Sequence, residues 1–167
     1  MIVVVDTNVA IVANGHKSEQ ASPDCIRACA VRLARLIQED QLLIDDKWLI
    51  IKEYINNLSK SELPIGNAFL KWVLDNRFTG RIEQVSITPT VEHKPSFKEF
   101  PQDAQLENFD VSDRKFVAVS LAHPESPPIL NAVDTDWWQF KDVLEANGVI
   151  VEFLCPNDVQ RLLSASS

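Results

Sequence analysis

The chain begins MIVVVDTNVA at residues 1–10, where a short apolar run ends at an aspartate. Residues 2–5 are continuous, apolar and β-branched, which is typical of a strand buried on both faces of a parallel sheet. Parallel sheets of this kind bind their ligands at the carboxyl ends of the strands. We therefore expect Asp6 to lie at the edge of the sheet, beside a ligand site, and not in the core.

Strands and helices alternate along the rest of the chain. Further short strands are predicted at 41–45, 81–89, 129–133 and 149–154. Helices are predicted between and after them, at about 23–40, 46–62, 66–76, 113–123, 137–147 and 156–163. This order predicts one domain over residues 1–167, with a five-stranded parallel sheet in a three-layer α/β/α fold.

The segment from 90 to 111 has no sustained periodicity and contains Pro95, Pro101 and several acids. It predicts a long irregular loop, with room for a turn of helix inside it. Loops of this length within a compact domain are usually functional or disordered. A lid, a contact with a partner and a disordered segment all stay open as interpretations.

Composition limits the class of protein. The net charge of −8 counts against a broad basic face that grips nucleic acid, but it allows an enzyme that reaches phosphates through metal ions. No apolar run is long enough for a membrane span, and no basic segment precedes the first apolar run, so we expect no membrane segment and no secretory signal. The odd number of cysteines argues against a disulfide framework and predicts a cytoplasmic protein.

The three cysteines give no sequence pattern for a metal site. Cys25 and Cys29 share one face of the predicted helix at 23–40, whereas Cys155 is remote in the sequence. A structural zinc site needs four ligands. We therefore expect the three side chains to be thiols in the core.

A second aspartate repeats the position of the first. Asp134 follows the apolar run ILNAV, as Asp6 follows VVV, and each is followed by threonine. Each would serve as a cap for the next helix, because aspartate is favoured there. Two such acids at strand ends of one sheet, however, repel each other unless a cation lies between them. A ligand site is therefore favoured over two independent caps.

Two further acids are ambiguous from their spacing alone. Asp113 opens the apolar helix DRKFVAVSLA, where an acid also stabilises the helix dipole, and Asp110 competes with it for the same role. Glu53 lies away from the predicted inner stripe of its helix, which favours exposure. That stripe is formed by apolar side chains, namely Trp48, Ile51, Ile55 and Leu58.

The motifs VVDTNV, DRKFVAVSLA, ILNAVDTD and GVIVEFLCPNDVQRLL, with a glutamate in the helix after the second strand, resemble the PIN-domain nucleases, including VapC-like toxin ribonucleases. The likeness spans Val3 to about Leu163. It implies a five-stranded parallel sheet and a site of clustered acids that holds Mg²⁺ or Mn²⁺. The resemblance also assigns roles: catalytic acids Asp6, Glu53, Asp113 and Asp134; metal ligands Asp6, Asp113, Asp134 and the additional Asp136; supporting residues Thr7 and Asn8.

The function implied is a metal-dependent endoribonuclease that hydrolyses RNA phosphodiester bonds. The resemblance also suggests a toxin that is inhibited by an antitoxin protein, and a homodimer. Arg114 and Lys115, next to Asp113, are candidate contacts for a substrate phosphate. The alternatives are a non-catalytic PIN-like module that binds RNA or protein, and a phosphatase of the HAD type. The phosphatase pattern requires a second aspartate at the position of Asn8, which disfavours it.

Overall fold

A five-stranded sheet forms the centre of the protein, and its strands follow the order β3-β2-β1-β6-β7. The computed structural model describes residues 1–16, 19–91 and 94–166. All four neighbouring pairs of strands in the sheet are parallel, which confirms the predicted fold class. The strands of the described residues are β1 (Ile2–Val5), β2 (Gln41–Asp45), β3 (Ile82–Val85), β4 (Pro89–Thr90), β5 (Ser96–Phe97), β6 (Ile129–Asn131) and β7 (Val151–Phe153).

Helices pack on the sheet to complete a three-layer α/β/α arrangement. They are α1 (Thr7–Ala13), α2 (Pro23–Glu39), α3 (Leu49–Asn57), α4 (Ile65–Asn76), α5 (Arg114–Ala122), α6 (Thr135–Ala146) and α7 (Pro156–Ser166). Gly148 follows α6 with a φ of 85°, the left-handed conformation that glycine adopts after a helix end. Across the described ranges, no helix combines the length and the apolar character that crossing a membrane would require.

The central strands are buried as their apolar sequences predict. Val3, Val4 and Val5 are inaccessible to solvent, as are Ile129 and Leu130 of the neighbouring strand β6. Since β1 pairs with β2 on one side and β6 on the other, its backbone is also fully enclosed. The residue that follows β1 is therefore held firmly at the edge of the sheet.

Helix α3 differs from its prediction in length and in orientation. It begins at Leu49, because the carboxylate of Asp45 accepts hydrogen bonds from the backbone N–H groups of Leu49 and Ile50. Its buried face includes Ile50, Ile51 and Tyr54, and the predicted inner residue Trp48 is 38 % exposed with a left-handed φ of 68°. Ile55 is also exposed, so the predicted stripe is wrong at these two residues and right at Ile51 and Leu58.

The 90–111 segment contributes to the core. It contains the short antiparallel pair of β4 and β5 and a 3-10 turn at Ala104–Leu106. Phe100, Leu106 and Phe109 are buried, and the ring of Phe109 contacts that of Trp137 edge-on at 5.0 Å. Residues 92 and 93 of this segment lie outside the described residues.

The cysteine prediction is wrong in an informative way. Cys25 and Cys155 form a disulfide across 130 residues of sequence, and Cys29 is a free buried cysteine. The fold brings the start of α2 against the start of α7, where Ser22 N donates a hydrogen bond of 2.8 Å to Asp158 Oδ2. Burial raises the pKa of the Cys29 thiol to about 12. Separation along the sequence therefore gave no guide to separation in space.

Candidate acidic site at the carboxyl edge of the sheet

The carboxyl ends of the two central strands carry aspartates. Asp6 directly follows β1, and Asp134 lies three residues beyond the end of the adjacent strand β6. The parallel register pairs Val5 with Leu130, so the two chains leave the sheet at the same edge. We use the name acidic cluster for Asp6, Glu53, Asp113 and Asp134. Burial raises the pKa of Asp6, and the charges of the other three acids raise it further.

Asp6 is buried, with only 4 % of its surface exposed. Its Oδ1 accepts the backbone N–H of Asn8 at 3.1 Å and so caps α1. Its Oδ2 accepts a hydrogen bond of 3.0 Å from the side-chain amide of Asn131. Both carboxylate oxygens therefore have fixed positions, although a buried carboxylate carries a large desolvation cost.

Two asparagines join the ends of β1 and β6. Asn8 Oδ1 accepts the backbone N–H of Ala132 at 3.1 Å, the supporting position that the family resemblance implies. Asn131 donates to Asp6, and its own Oδ1 is buried without a hydrogen-bond partner in the described structure. The sequence pattern did not predict a role for Asn131 beside Asp6. Its one signal is that a polar residue interrupts the otherwise apolar run ILNAV.

Glu53 is held between two helices. Its Oε1 accepts a hydrogen bond of 2.6 Å from the hydroxyl of Thr7 in α1, and its Oε2 forms an ion pair with Lys115 of α5. Lys115 Nζ also donates to the carbonyl oxygen of Ser112. The structure therefore places Thr7, Glu53 and Lys115 together, whereas the predicted helical periodicity favoured an exposed Glu53.

Asp113 and Asp134 meet at the start of α6. Asp113 Oδ2 accepts a hydrogen bond of 3.1 Å from the indole nitrogen of the fully buried Trp137. Asp134 caps the same helix, because its Oδ1 accepts the backbone N–H groups of Asp136 at 2.9 Å and Trp137 at 3.4 Å. Trp137 thus ties both aspartates to one rigid element.

Asp110 and Asp136 lie on the exposed surface beside the cluster. Asp110 caps the 3-10 turn Val111–Asp113, and its carboxylate accepts hydrogen bonds of 2.7 Å from both the backbone N–H and the hydroxyl of Ser112. Asp113, at the end of that turn, is the acid that contacts Trp137. Asp136 is exposed in the first turn of α6, two residues beyond Asp134.

Arg114 occupies a different place from the one predicted. It is 5 % exposed, and its guanidinium donates to the carbonyl oxygens of Leu106, Glu107 and Phe109. The guanidinium carbon also lies 4.7 Å from the centre of the Phe100 ring. These contacts anchor the 100–109 stretch onto α5, so the expected contact between Arg114 and a substrate phosphate is corrected to a structural role.

Burial and repulsion between the acids together disfavour the charged forms of Asp6 and Asp113. Burial is the largest cause of the raised pKa of Asp6, and the charge of Asp113 is the next largest. The charges of Asp134 and Glu53 also raise this pKa, whereas the hydrogen bond from the Asn8 backbone lowers it. Burial also raises the pKa of Asp113 to about 7, and the charges of Asp134, Asp110 and Glu53 contribute in that order. The nearby ammonium of Lys115 opposes this shift.

A divalent cation would relieve this repulsion, and carboxylate oxygens are the ligands that Mg²⁺ prefers. In the described ranges, however, only the three cysteines form a group of potential ligands whose atoms all lie within 4.8 Å of one another. The acids are therefore more widely spaced than in a closed cage. Mg²⁺ usually keeps several waters and binds through one or two carboxylates, so this looser arrangement fits its chemistry.

No protein-family model, curated protein or solved structure matches the chain. The acidic cluster and the motifs of the sequence are therefore the features that indicate a function.

Proposed function

We propose that the protein is a metal-dependent endoribonuclease of the PIN type, which hydrolyses RNA phosphodiester bonds with Mg²⁺ or Mn²⁺ at the acidic cluster. One observation carries this proposal. Three acids, from α3, the N-terminal flank of α5 and the end of β6, lie near the buried Asp6 at the end of β1, and its pKa is raised by burial and by their charges. Such perturbed carboxyl groups at the carboxyl edge of a parallel sheet are typical of functional sites.

The residues of the cluster fit a hard divalent cation. The candidate ligands Asp6, Asp113 and Asp134 supply oxygen, with Asp136 as an additional ligand at the exposed rim. The unpartnered Oδ1 of Asn131 adds a buried oxygen next to Asp6. When bound, the cation would lower the pKa of a water molecule and stabilise charge on the phosphate.

The surrounding side chains position the acids. Asn131 fixes one oxygen of Asp6, Trp137 fixes one oxygen of Asp113, and Thr7 fixes one oxygen of Glu53. Lys115 forms an ion pair with Glu53, and its ammonium balances part of the negative charge in the metal-free protein. We propose that Lys115 moves its charge toward a substrate phosphate when the cation is bound.

Cleavage of single-stranded RNA tests the proposal. Wild-type protein with Mn²⁺ is expected to cut the RNA internally, and EDTA or Asp6→Asn is expected to abolish the cut. Asp142→Asn is the matched control, because this aspartate is exposed on α6, where its carboxylate pairs with Lys141 away from the acidic cluster. Equal cleavage by wild type and Asp6→Asn, or cleavage that survives EDTA, would refute the mechanism. RNA binding without cleavage would favour the non-catalytic module.

We also propose a biological setting for this activity. A toxin role, an antitoxin partner and a homodimer follow from the family resemblance, whereas the cytoplasmic location follows from the odd number of cysteines. Growth arrest on expression of the wild type, absent with Asp6→Asn and relieved by the product of an adjoining reading frame, would support the toxin role. Growth that is unaffected by an active nuclease would contradict it.

A further inference from the structure

Three cysteines form a second cluster of potential metal ligands, separate from the acids. Cys25 lies in the first turn of α2, Cys29 lies one turn later, and Cys155 directly precedes α7. All three are buried, and their sulfur atoms lie within 4.8 Å of one another. Two of them are joined as a disulfide, while Cys29 Sγ is 3.9 Å from Cys155 Sγ.

One sulfur–sulfur distance in the cluster matches that of a thiolate-bound metal ion. Zinc–sulfur bonds of about 2.3 Å place the sulfurs of one site roughly 3.8–4.0 Å apart, by the geometry of trigonal and tetrahedral coordination. The contact of 3.9 Å between Cys29 and Cys155 has this value without any movement. Reduction of the Cys25–Cys155 bond would let the third sulfur separate to the same distance.

The charges around the cluster are of both signs. Three thiolates and one divalent cation carry a net charge of −1 in a buried place. Cys25 lies in the first turn of α2 and Cys155 directly precedes α7, and the partial positive charge of a helix N-terminus favours thiolates there. Burial and the charge of Asp158 act in the opposite direction by raising the pKa of the Cys29 thiol, so the cation must displace this proton as it binds.

We propose that the reduced protein binds one soft divalent cation of the Zn²⁺ or Cd²⁺ class through Cys25, Cys29 and Cys155. The oxidised protein instead keeps the disulfide, so the redox state selects between the two forms. A dithiol reductant gives two electrons and two protons to the Cys25–Cys155 bond and becomes a cyclic disulfide. The cation then displaces the protons of the three thiols as it binds. The proposal does not depend on ribonuclease activity.

Titration with Cd²⁺ tests the site, because cadmium–thiolate charge transfer absorbs in the ultraviolet and carboxylates give no such band. Protein that is reduced with dithiol and then freed of it under anaerobic conditions is expected to show three alkylatable thiols after denaturation, and in its folded form to bind one Cd²⁺ per chain with this absorption. Untreated, oxidised protein is expected to show one thiol and no such band. Asp6→Asn is the matched control for the acidic cluster and is expected to keep the band unchanged.

Loss of a ligand should weaken binding strongly. Cys29→Ser keeps the side-chain size and leaves the disulfide intact, and we expect its affinity for Cd²⁺ to fall by more than the ~10–100-fold that loss of an outer-shell partner costs. Cys25→Ser provides a second variant with the same expectation, should Cys29→Ser fail to fold. Undiminished binding by a folded variant, or a disulfide that resists dithiol in the native protein, would overturn the proposal.

Discussion

Replacing Asp113 by asparagine removes one negative charge from the acidic cluster and keeps an oxygen that can accept the hydrogen bond from Trp137 Nε1. The folded protein raises the pKa of Asp113 from 3.8 to about 7. When the pKa of a carboxyl group is higher in the folded than in the unfolded protein, its full contribution to stability is present below the unfolded-state pKa. This contribution is lost as the pH rises through the folded-state pKa. Between about pH 4 and pH 8, the metal-free wild type should therefore lose stability.

The magnitude follows from the shift. A difference of about three pKa units corresponds to roughly 4 kcal/mol at 1.36 kcal/mol per unit, which is an upper limit for a half-buried group that shares its shift with Asp134. We expect Asp113→Asn to be more stable than wild type by about 2 kcal/mol at pH 8, or roughly 4–8 °C in Tm. Near pH 4, where Asp113 is protonated in the folded protein, the two should agree.

Urea unfolding in EDTA at several pH values measures this difference. Asp142→Asn is the control, because this aspartate is exposed on α6 and pairs with Lys141 away from the acidic cluster. Its free energy of unfolding should differ from that of the wild type by no more than about 1 kcal/mol at each pH. A stability of Asp113→Asn at pH 8 equal to or below that of the wild type would refute the claim that burial and the neighbouring acids disfavour a charged Asp113.

Three further variants separate the roles of neighbouring residues. Asn131→Ala removes the donor to Asp6, and the Mn²⁺ concentration for half-maximal RNA cleavage should rise ~10–100-fold; an unchanged value would deny it a positioning role. Glu53→Gln should abolish cleavage yet change the free energy of unfolding by only about 1 kcal/mol, because its ion pair with Lys115 is partly exposed; retained cleavage would remove Glu53 from the mechanism. Arg114→Gln should lower the free energy of unfolding in urea by about 3 kcal/mol, because it removes hydrogen bonds to buried carbonyl oxygens. The salt dependence of RNA binding should stay the same, and a shallower dependence would instead indicate that Arg114 contacts a phosphate.

The sheet was predictable because its signals are local. Runs such as IVVV and ILNAV are continuous, apolar and β-branched, and each ends at an acid that cannot continue into a core. The positions of Asp6 and Asp134 then followed from the general rule for parallel sheets. Their mutual influence in the structure is a consequence of that same rule.

Side-chain direction and long-range pairing were not predictable. The face of α3 depends on where the helix begins, and the carboxylate of Asp45 fixes that point. The tether of Glu53 comes from Thr7 and Lys115, which belong to other helices. The cysteine cluster likewise depends on how α2 meets α7 across 130 residues, information that no local pattern carries.

The central claim is that the acidic cluster is a divalent-cation site. Electron paramagnetic resonance of Mn²⁺ counts bound and free ions directly, with no dependence on the choice of RNA. Wild-type protein and the surface variant Asp142→Asn should bind Mn²⁺ at the cluster, and both Asp6→Asn and Asp134→Asn should lose that binding while remaining folded. Equal Mn²⁺ binding by all four proteins would show that the acidic cluster is not the site of the cation.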